Sequence, residues 1–194
     1  MAIGFDFGTS NCSVAHVVNG HVQAIPLSDN ESFMLSALCA PTRQTVPEYL
    51  FRCLNILPIN SVGEGVLRRA IADNRAEDLK VKIDDVLFGK QALDLYLEDP
   101  ESVHYIKSPK SFLGTLQLHE PQLAMFEDIV CAMMANIKTK TEAYLDRQIT
   151  ETVIGRPINF NSLGGEKSNI QAQGILHRAA ARAGFKHIEF QFEP

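Results

Sequence analysis

The strongest constraint on the fold is a hairpin pattern at the start of the chain. Residues 2–7 are mostly strand formers with apolar side chains at alternate positions, and residues 12–19 form a second β-rich run. The pair Asn19-Gly20 is a strong signal for a two-residue hairpin turn, so a third strand is predicted over residues 21–27. The chain is therefore expected to begin with a three-stranded antiparallel meander.

The turn between the first two predicted strands carries groups that suit an anion. Glycine permits a backbone geometry that other residues resist, and successive backbone N–H groups in a turn can surround an anion. Mg²⁺ keeps much of its hydration shell and favours carboxylates and phosphates, so Asp6 could hold the ion through water. A nucleotide-phosphate site is therefore predicted at the turn residues Gly8, Thr9, Ser10 and Asn11. An ordinary hairpin turn is the alternative, because Asp, Gly and Asn are common turn residues.

Composition narrows the class of protein. The 194 residues are 45% apolar and 21% charged, which is typical of one globular domain or two closely packed lobes. A net charge of −5 argues against a general nucleic-acid binder, which should carry a basic face, but leaves room for a small anionic ligand. The sequence shows no secretory signal and no apolar run near the ~20 residues that span a bilayer. A cytoplasmic protein with no membrane partner is expected.

The four cysteines are widely separated and contain no C-x-x-C pair. This spacing predicts reduced, mostly buried thiols rather than a disulfide framework or a zinc site. The residues are Cys12, Cys39, Cys53 and Cys131.

The rest of the chain mixes helical and strand patterns. An apolar run at residues 33–40 is a possible strand, residues 57–65 are predicted to be a loop, and residues 81–83 and 86–88 alternate like short strands. Helices are predicted over residues 43–53, 66–74, 91–97, 121–145 and 167–183, and later strands over 151–156 and 186–192. These elements predict an α/β fold with a mixed five-stranded sheet, in which two parallel strands join three antiparallel ones and helices cover the faces.

Two further segments carry lysines near small residues. The stretch Gly164 to Ser168 resembles the end of a P-loop, but it lacks the first glycine and the Gly-Lys adjacency, so a loop and helix start is predicted instead. Residues 105–114 contain Lys107 and Lys110 on what is predicted to be irregular backbone. Either both lysines are solvated, as is usual for this residue, or one of them reaches a phosphate.

Several segments, taken in chain order, resemble the amino-terminal lobe of the actin-like ATPases, which have a ribonuclease-H-like fold. They are most similar to the seventy-kilodalton heat-shock chaperones of the DnaK type, and in detail to the divergent chaperone-like proteins of the YegD type. The segments match a phosphate-binding hairpin, a lysine-x-x-x-glycine element, a strand followed by proline, the helix before the last strand, and a terminal glutamate-proline pair. They are Ile3 to Cys12, Lys110 to Gly114, Val153 to Asn161, Ala179 to Phe185, and Gln191 to Pro194.

The resemblance implies a role for each matched residue. The turn residues 8–11 would hold the β- and γ-phosphates of ATP, and Asp6 would hold Mg²⁺ through water. Lys110 would stabilise transition-state charge near the γ-phosphate, and Glu193 would orient the attacking water. Pro157 would link nucleotide state to the rest of the molecule. Lys107 is a rival for the lysine role, but the spacing of Lys110 to Gly114 fits the family element.

The resemblance also implies a domain organisation. Residues 1–27 and 114–194 would form the core ATPase subdomain, and residues 28–113 an inserted α+β subdomain. The loop from Asn161 to Ser168 is longer than the family pattern, which puts contacts with helper proteins there in doubt. The second glycine-rich hairpin and the adenosine site are expected beyond residue 194, so this chain alone is expected to hydrolyse ATP weakly or not at all.

The implied function is the N-terminal half of the ATP-binding and ATP-hydrolysing domain of a DnaK-like molecular chaperone. ATP and Mg²⁺ are the implied cofactors, ATP and ADP the ligands, and unfolded polypeptide and co-chaperones would bind through regions outside this chain. Two alternatives share the hairpin: a sugar-kinase-like phosphotransferase lobe and an actin-like structural ATPase. The sizeable insertion favours the chaperone-like and filament-forming classes over most sugar kinases.

Overall fold

A central mixed β-sheet organises the computed structural model, which describes residues 1–28, 31–160 and 164–193. Short 3-10 turns at Ile83–Asp85 and Pro109–Phe112 separate some of the regular elements. In chain order the strands and helices are β1 (Ala2–Phe7), β2 (Asn11–Val18), β3 (His21–Ile25), β4 (Phe33–Leu35), β5 (Ala37–Ala40), α1 (Thr45–Arg52), α2 (Ser61–Ala76), β6 (Leu87–Phe88), α3 (Lys90–Glu98), β7 (His104–Lys107), α4 (Glu120–Leu145), β8 (Glu151–Arg156), α5 (Gly165–Arg182) and β9 (His187–Phe192).

The order of strands in the central sheet is β3-β2-β1-β8-β9, and β4 also pairs with β2. Strands β1, β2 and β3 are antiparallel neighbours, whereas β8 runs parallel to both β1 and β9. Asn19 and Gly20 both have positive φ, at 51° and 82°, as the predicted tight turn requires. The mixed α/β class and the mixed sheet are therefore confirmed, with β4 as an additional strand.

The hydrophobic core lies on one face of β1. Ile3, Phe5 and Phe7 are buried there, in one cluster with residues of α4 and α5. The alternate β1 residues are exposed, and Asp6 is one of them. The adjacent pair Met133 and Met134 of α4 is fully buried in the same core. The alternation thus fixes which β1 side chains face solvent at the strand end.

A second, three-stranded sheet with order β6-β5-β7 lies within residues 37–107. Its strand β5 follows β4 closely, and the two belong to different sheets because the chain changes partners at Ser36. The prediction of one strand over residues 33–40 was therefore wrong. Residues 105–107 belong to β7, so the prediction of irregular backbone was also wrong for this part of the lysine segment.

Helix α2 starts earlier than predicted. Residues 61–65 were expected in a loop, but the Asn60 side chain accepts a hydrogen bond from the Gly63 N–H at 2.8 Å and caps the helix. Asparagine is among the strongest N-cap residues, so this start was readable in the sequence. The strands expected at 81–83 and 86–88 are reduced to β6, because residues 83–85 form a 3-10 turn.

Alanine substitutions at two glycines of α2 are expected to change stability in opposite directions. A Cβ at Gly65 would meet nothing within 4 Å, whereas one at Gly63 would lie 2.9 Å from the Pro58 Cβ. We expect Gly65→Ala to raise the free energy of unfolding by about 0.5–1 kcal/mol, because alanine is the better helix former. We expect Gly63→Ala to lower it by about 1–3 kcal/mol through overpacking. Urea unfolding of both variants tests this, and equal effects would contradict the contact at Pro58.

The four cysteines are free thiols, and Cys12, Cys39 and Cys131 are buried. Among the described residues there is no cluster of three histidine, cysteine or acidic side chains that could hold a metal ion directly. No helix in the described ranges is long and apolar enough to cross a membrane.

Candidate functional site

Two predicted site residues, Asp6 and Glu193, lie where the parallel strands of the central sheet end. Phe5 of β1 is level with Ile154 of β8, and Gly155 of β8 is level with Gln191 of β9. Asp6 therefore lies near the end of β1, beside the end of β8, and Glu193 follows the last residue of β9. The carboxyl ends of parallel strands are the usual place for ligand sites in open α/β sheets.

Lys110 joins this edge of the sheet from a distant part of the chain. Its Nζ donates a hydrogen bond to Glu193 Oε1 at 2.7 Å, across a sequence separation of 83 residues. Lys110 is only 5% exposed, so the alternative of a solvated surface lysine is wrong for this residue. Lys107 is exposed and lies at the end of β7. The structure thus places Lys110, and not Lys107, beside the predicted glutamate.

The Glu193 side chain lies against a gap left by Gly155. A Cβ at Gly155 would stand 3.4 Å from both Cγ and Oε1 of Glu193. The Glu193 backbone N–H also donates to the Arg156 carbonyl at 2.8 Å. Because Gly155 has no side chain, there is room for the Glu193 side chain against β8. The backbone bond fixes residue 193, so the carboxylate lies beside Lys110. An isolated glycine within a predicted strand often marks such a close approach, so the sequence carried a signal at Gly155 that the predicted site residues do not include.

Asp6 completes a group of three charges. The pKa of the Asp6 carboxyl is raised first by partial burial of its oxygens, then lowered by the positive charge of Lys110 and raised by the negative charge of Glu193. The residue as a whole is nevertheless exposed. Two carboxylates and one ammonium group leave one excess negative charge here, which favours the approach of a hydrated cation.

The turn that follows Asp6 is tight at Gly8. A Cβ on Gly8 would lie 2.3 Å from the Asn11 carbonyl oxygen and 3.5 Å from Asp6 Oδ1. Glycine is therefore required by close backbone approach, and not by a positive φ. Thr9, Ser10 and Asn11 are exposed, so their backbone and side chains stand at the surface next to Asp6.

Ser36 connects this turn to the lysine segment, and sequence reasoning missed it. Its Oγ donates to the Gly8 carbonyl at 2.7 Å, and its N–H donates to the Ser10 carbonyl at 2.9 Å. Its own carbonyl accepts from the Ser108 N–H at 2.8 Å. Ser36 is 1% exposed, so one buried residue holds both the turn and the start of the Lys110 segment. A serine inside the apolar run 33–40 was the available signal.

The backbone changes conformation at Ser108, between Lys107 at the end of β7 and Lys110 in the following 3-10 turn. Ser108 has φ 56° and ψ 52°, in the left-handed region that a non-glycine residue before a proline rarely adopts. The 3-10 turn at residues 109–112 begins immediately after it. Strained backbone of this kind persists where the surrounding contacts specify it, and here the bond to Ser36 does so.

Removing the Ser36 hydroxyl is expected to destabilise the protein. In Ser36→Ala the Gly8 carbonyl loses its buried donor, so the free energy of unfolding should fall by about 1–3 kcal/mol. Ser111→Ala is the matched control, because Ser111 Oγ donates to the Ser108 carbonyl at 2.7 Å but is exposed. Chemical denaturation measures the free energy of unfolding of both variants. Equal losses would show that the buried hydrogen bond of Ser36 contributes no more to stability than the exposed one of Ser111.

The thiol of Cys12 lies behind the turn but is not a nucleophile. It is 3.2 Å from Ser36 Oγ, and burial raises its pKa to about 12. A thiol of this kind stays protonated at neutral pH and packs as a small apolar group.

The structure describes some of the remaining residues that the sequence analysis singled out, and others lie outside the described ranges. Pro157 follows β8 and is half-buried, and its role as a conformational switch stays a prediction. Asn161 of the matched strand-proline segment, the following residues to 163, and Pro194 lie outside the described residues. Gly164 precedes α5, and Ser168 is buried, with its Oγ donating to the Gly114 carbonyl at 2.6 Å. The helix therefore starts within this stretch, at Gly165, two residues earlier than predicted.

No protein-family model matches the chain. The functional assignment therefore depends on the geometry of this edge of the sheet and on the resemblance of the sequence segments described above.

Proposed function

We propose that this chain provides one side of a Mg²⁺-ATP site in an actin-like ATPase of the chaperone type, with a ribonuclease-H-like sheet. The observation that carries the proposal is the ion pair between the buried Lys110 and the partly exposed Glu193, which lies beside Asp6 at the carboxyl ends of β1 and β9. These groups come from distant parts of the chain and meet next to the glycine turn. Phosphoryl transfer needs this combination of positive charge, carboxylates and a phosphate-binding turn.

The residues present fit a hydrated magnesium ion and phosphates. Asp6 is an exposed carboxylate in a locally negative group, which suits a cation that keeps several of its waters. The absence of a Cβ at Gly8 lets the Asn11 carbonyl approach closely and keeps the turn tight. Successive backbone N–H groups in a tight turn can surround a phosphate. When bound, Mg²⁺ would neutralise charge on the phosphates; Asp6 would hold it through water.

Each of the other residues has a separate task in hydrolysis. The turn residues 8–11 orient the phosphates through backbone N–H and hydroxyl groups. Lys110 has three ammonium protons, of which the bond to Glu193 uses one, so it can also donate to a phosphoryl oxygen. Glu193 is anchored through Oε1, which leaves Oε2 to accept a proton of the attacking water. The gain comes from positioning and charge stabilisation.

The wider proposal places this lobe in a larger protein. The second phosphate-binding hairpin and the adenosine site would come from other parts of that protein, and ATP state would be coupled to lobe movement through Pro157. Unfolded polypeptide and co-chaperones are the proposed partners of those other parts, in the cytoplasm. In a sugar-kinase-like lobe the same site would pass the phosphoryl group to a hydroxyl, and in an actin-like protein it would control assembly.

Substitution of Asp6 tests the metal role in the intact protein. Asp6→Asn removes the charge but keeps the size, so the Mg²⁺-dependent part of ATP affinity should fall by about tenfold, as is typical when an outer-shell partner of a metal is removed. The measurement is titration of a fluorescent ATP analogue with Mg²⁺ and with a chelator. Asp94→Asn is the matched control, because Asp94 is exposed on α3 and pairs with Lys90.

Three outcomes separate the possible functions. Loss of the Mg²⁺ effect in Asp6→Asn, but not in Asp94→Asn, supports the proposed site. An unchanged metal dependence in Asp6→Asn would remove Asp6 from the site. Transfer of the γ-phosphoryl group to a sugar in place of water would favour the kinase alternative.

A further inference from the structure

A cavity of about 520 Å³ lies on another part of the surface, between α2, β7 and α4. Ligand sites in proteins commonly have volumes of roughly 300–1,000 Å³, so this one is large enough for a small organic molecule. Lys107 lines it, whereas Lys110 does not. The rival lysine of the sequence analysis therefore belongs to a different surface from Asp6 and Glu193.

The floor of the cavity is apolar and built from stiff side chains. The rings of Phe112 and Phe126 stack with centroids 5.4 Å apart and planes inclined by 12°. Tyr105 stacks in the same way on Tyr96, with centroids 4.5 Å apart. Val66 of α2 extends the apolar lining. Phe112 is 43% exposed, so its ring offers a flat apolar surface to a ligand.

The rim of the cavity is positively charged. Arg43, Arg69, His104 and Lys107 all line it and are all exposed, and the described lining residues include no aspartate or glutamate. The pKa of His104 is lowered by partial burial and then by the positive charge of Arg43, so these two side chains are electrostatic neighbours. Both effects disfavour the charged form of His104, so the positive charge of the rim comes from Arg43, Arg69 and Lys107, in contrast with the net charge of −5 for the chain.

One polar atom of the lining also lacks a partner. Gln44 Nε2 donates to Asp73 Oδ2 at 3.1 Å, but the buried Gln44 Oε1 accepts no hydrogen bond from any described residue. Buried acceptors without a donor are uncommon, because desolvation is then uncompensated. This oxygen is itself closed to solvent, so the ligand preference of the cavity follows from its apolar wall and its cations and not from Gln44.

From these features we infer that the cavity is a binding site for a small amphipathic anion, with an apolar body on the Phe112–Phe126 wall and an acidic group at the cationic rim. Charge complementarity selects the acidic group, since Arg43, Arg69 and Lys107 line the cavity and none of the described lining residues is acidic. The apolar floor excludes a fully hydrophilic anion such as free phosphate as the preferred ligand. The inference is independent of the proposed ATP site.

A pair of matched probes tests both halves of the site on the purified full chain. 8-Anilinonaphthalene-1-sulfonate carries a sulfonate, and N-phenyl-1-naphthylamine has the same apolar body without it. We expect one molecule of the sulfonate to bind the native protein, about tenfold more tightly than the neutral probe, because charge-assisted hydrogen bonds contribute at the rim. Fluorescence titration measures both affinities, and near-ultraviolet circular dichroism checks that the chain is native.

Substitutions then locate the bound probe. Arg69→Gln should weaken the sulfonate about fivefold to tenfold and leave the neutral probe unchanged. The control is Arg68→Gln, since Arg68 is its neighbour on α2 and pairs with Glu64 at 3.7 Å, away from the cavity. Val66→Trp fills the cavity and should remove binding of both probes.

Several results would overturn the inference. Equal affinity for the two probes would show that the cationic rim selects nothing. An equal effect of Arg68→Gln and Arg69→Gln would indicate general surface charge. Unchanged probe binding in a natively folded Val66→Trp variant would place the probe elsewhere on the protein.

Discussion

Replacing Lys110 with alanine should abolish most ATP hydrolysis by the intact protein and leave ATP binding nearly unchanged. Lys110 is buried and donates to Glu193 at 2.7 Å, so its ammonium group is held in place before any phosphate arrives. Removing one preorganised donor that acts on transition-state charge typically lowers kcat by about 10²–10³-fold. Single-turnover hydrolysis and equilibrium ATP titration separate the two effects.

Two companion variants make this expectation specific to Lys110. Lys107→Ala should hydrolyse ATP within about twofold of the wild type, because Lys107 is exposed and lines a different surface from Lys110 and Glu193. Glu193→Gln should show a loss similar to that of Lys110→Ala, and the double variant should lose little more, since the two groups act as a unit. If Lys107→Ala destroys hydrolysis while Lys110→Ala leaves it unchanged, the lysine assignment is wrong.

The central sheet was predictable because its signals are local. Alternation at Ile3, Phe5 and Phe7, the Asn19-Gly20 turn and the period of the long helix each require only neighbouring residues. The second sheet was harder. Its strands are short, and the run 33–40 looks like one strand until the chain changes sheets at Ser36, which depends on contacts with residues far along the chain.

The sequence named the residues of the candidate site, and their role stays a prediction, but it did not reveal how they are arranged. Asp6, the turn at 8–11, Lys110 and Glu193 followed from turn chemistry and from the resemblance. Sequence order does not reveal that a carboxylate 83 residues away pairs with Lys110. The supports at Ser36 and Gly155 were missed for the same reason, because each acts through a neighbour that only the folded chain brings close.

Alanine at Gly8 is expected to be the most damaging single-carbon change in the turn. The added Cβ would lie 2.3 Å from the Asn11 carbonyl oxygen, which is backbone and cannot rotate away. Relief requires the turn to open, which would break the hydrogen bonds that Ser36 makes to the carbonyls of Gly8 and Ser10. We expect the free energy of unfolding to fall by about 3 kcal/mol, at the upper end for single substitutions.

The same change should reduce the affinity of the intact protein for Mg²⁺-ATP by about a hundredfold or more, equivalent to ~3 kcal/mol. Gly4→Ala is the matched control in β1, the strand that precedes the turn, because its Cβ would have only an ordinary contact at 3.8 Å with the Ala15 carbonyl oxygen. Urea unfolding and ATP titration of both variants separate damage to the fold from damage to the site. A Gly8→Ala protein as stable and as tightly binding as Gly4→Ala would show that close approach at this turn is not required for phosphate binding.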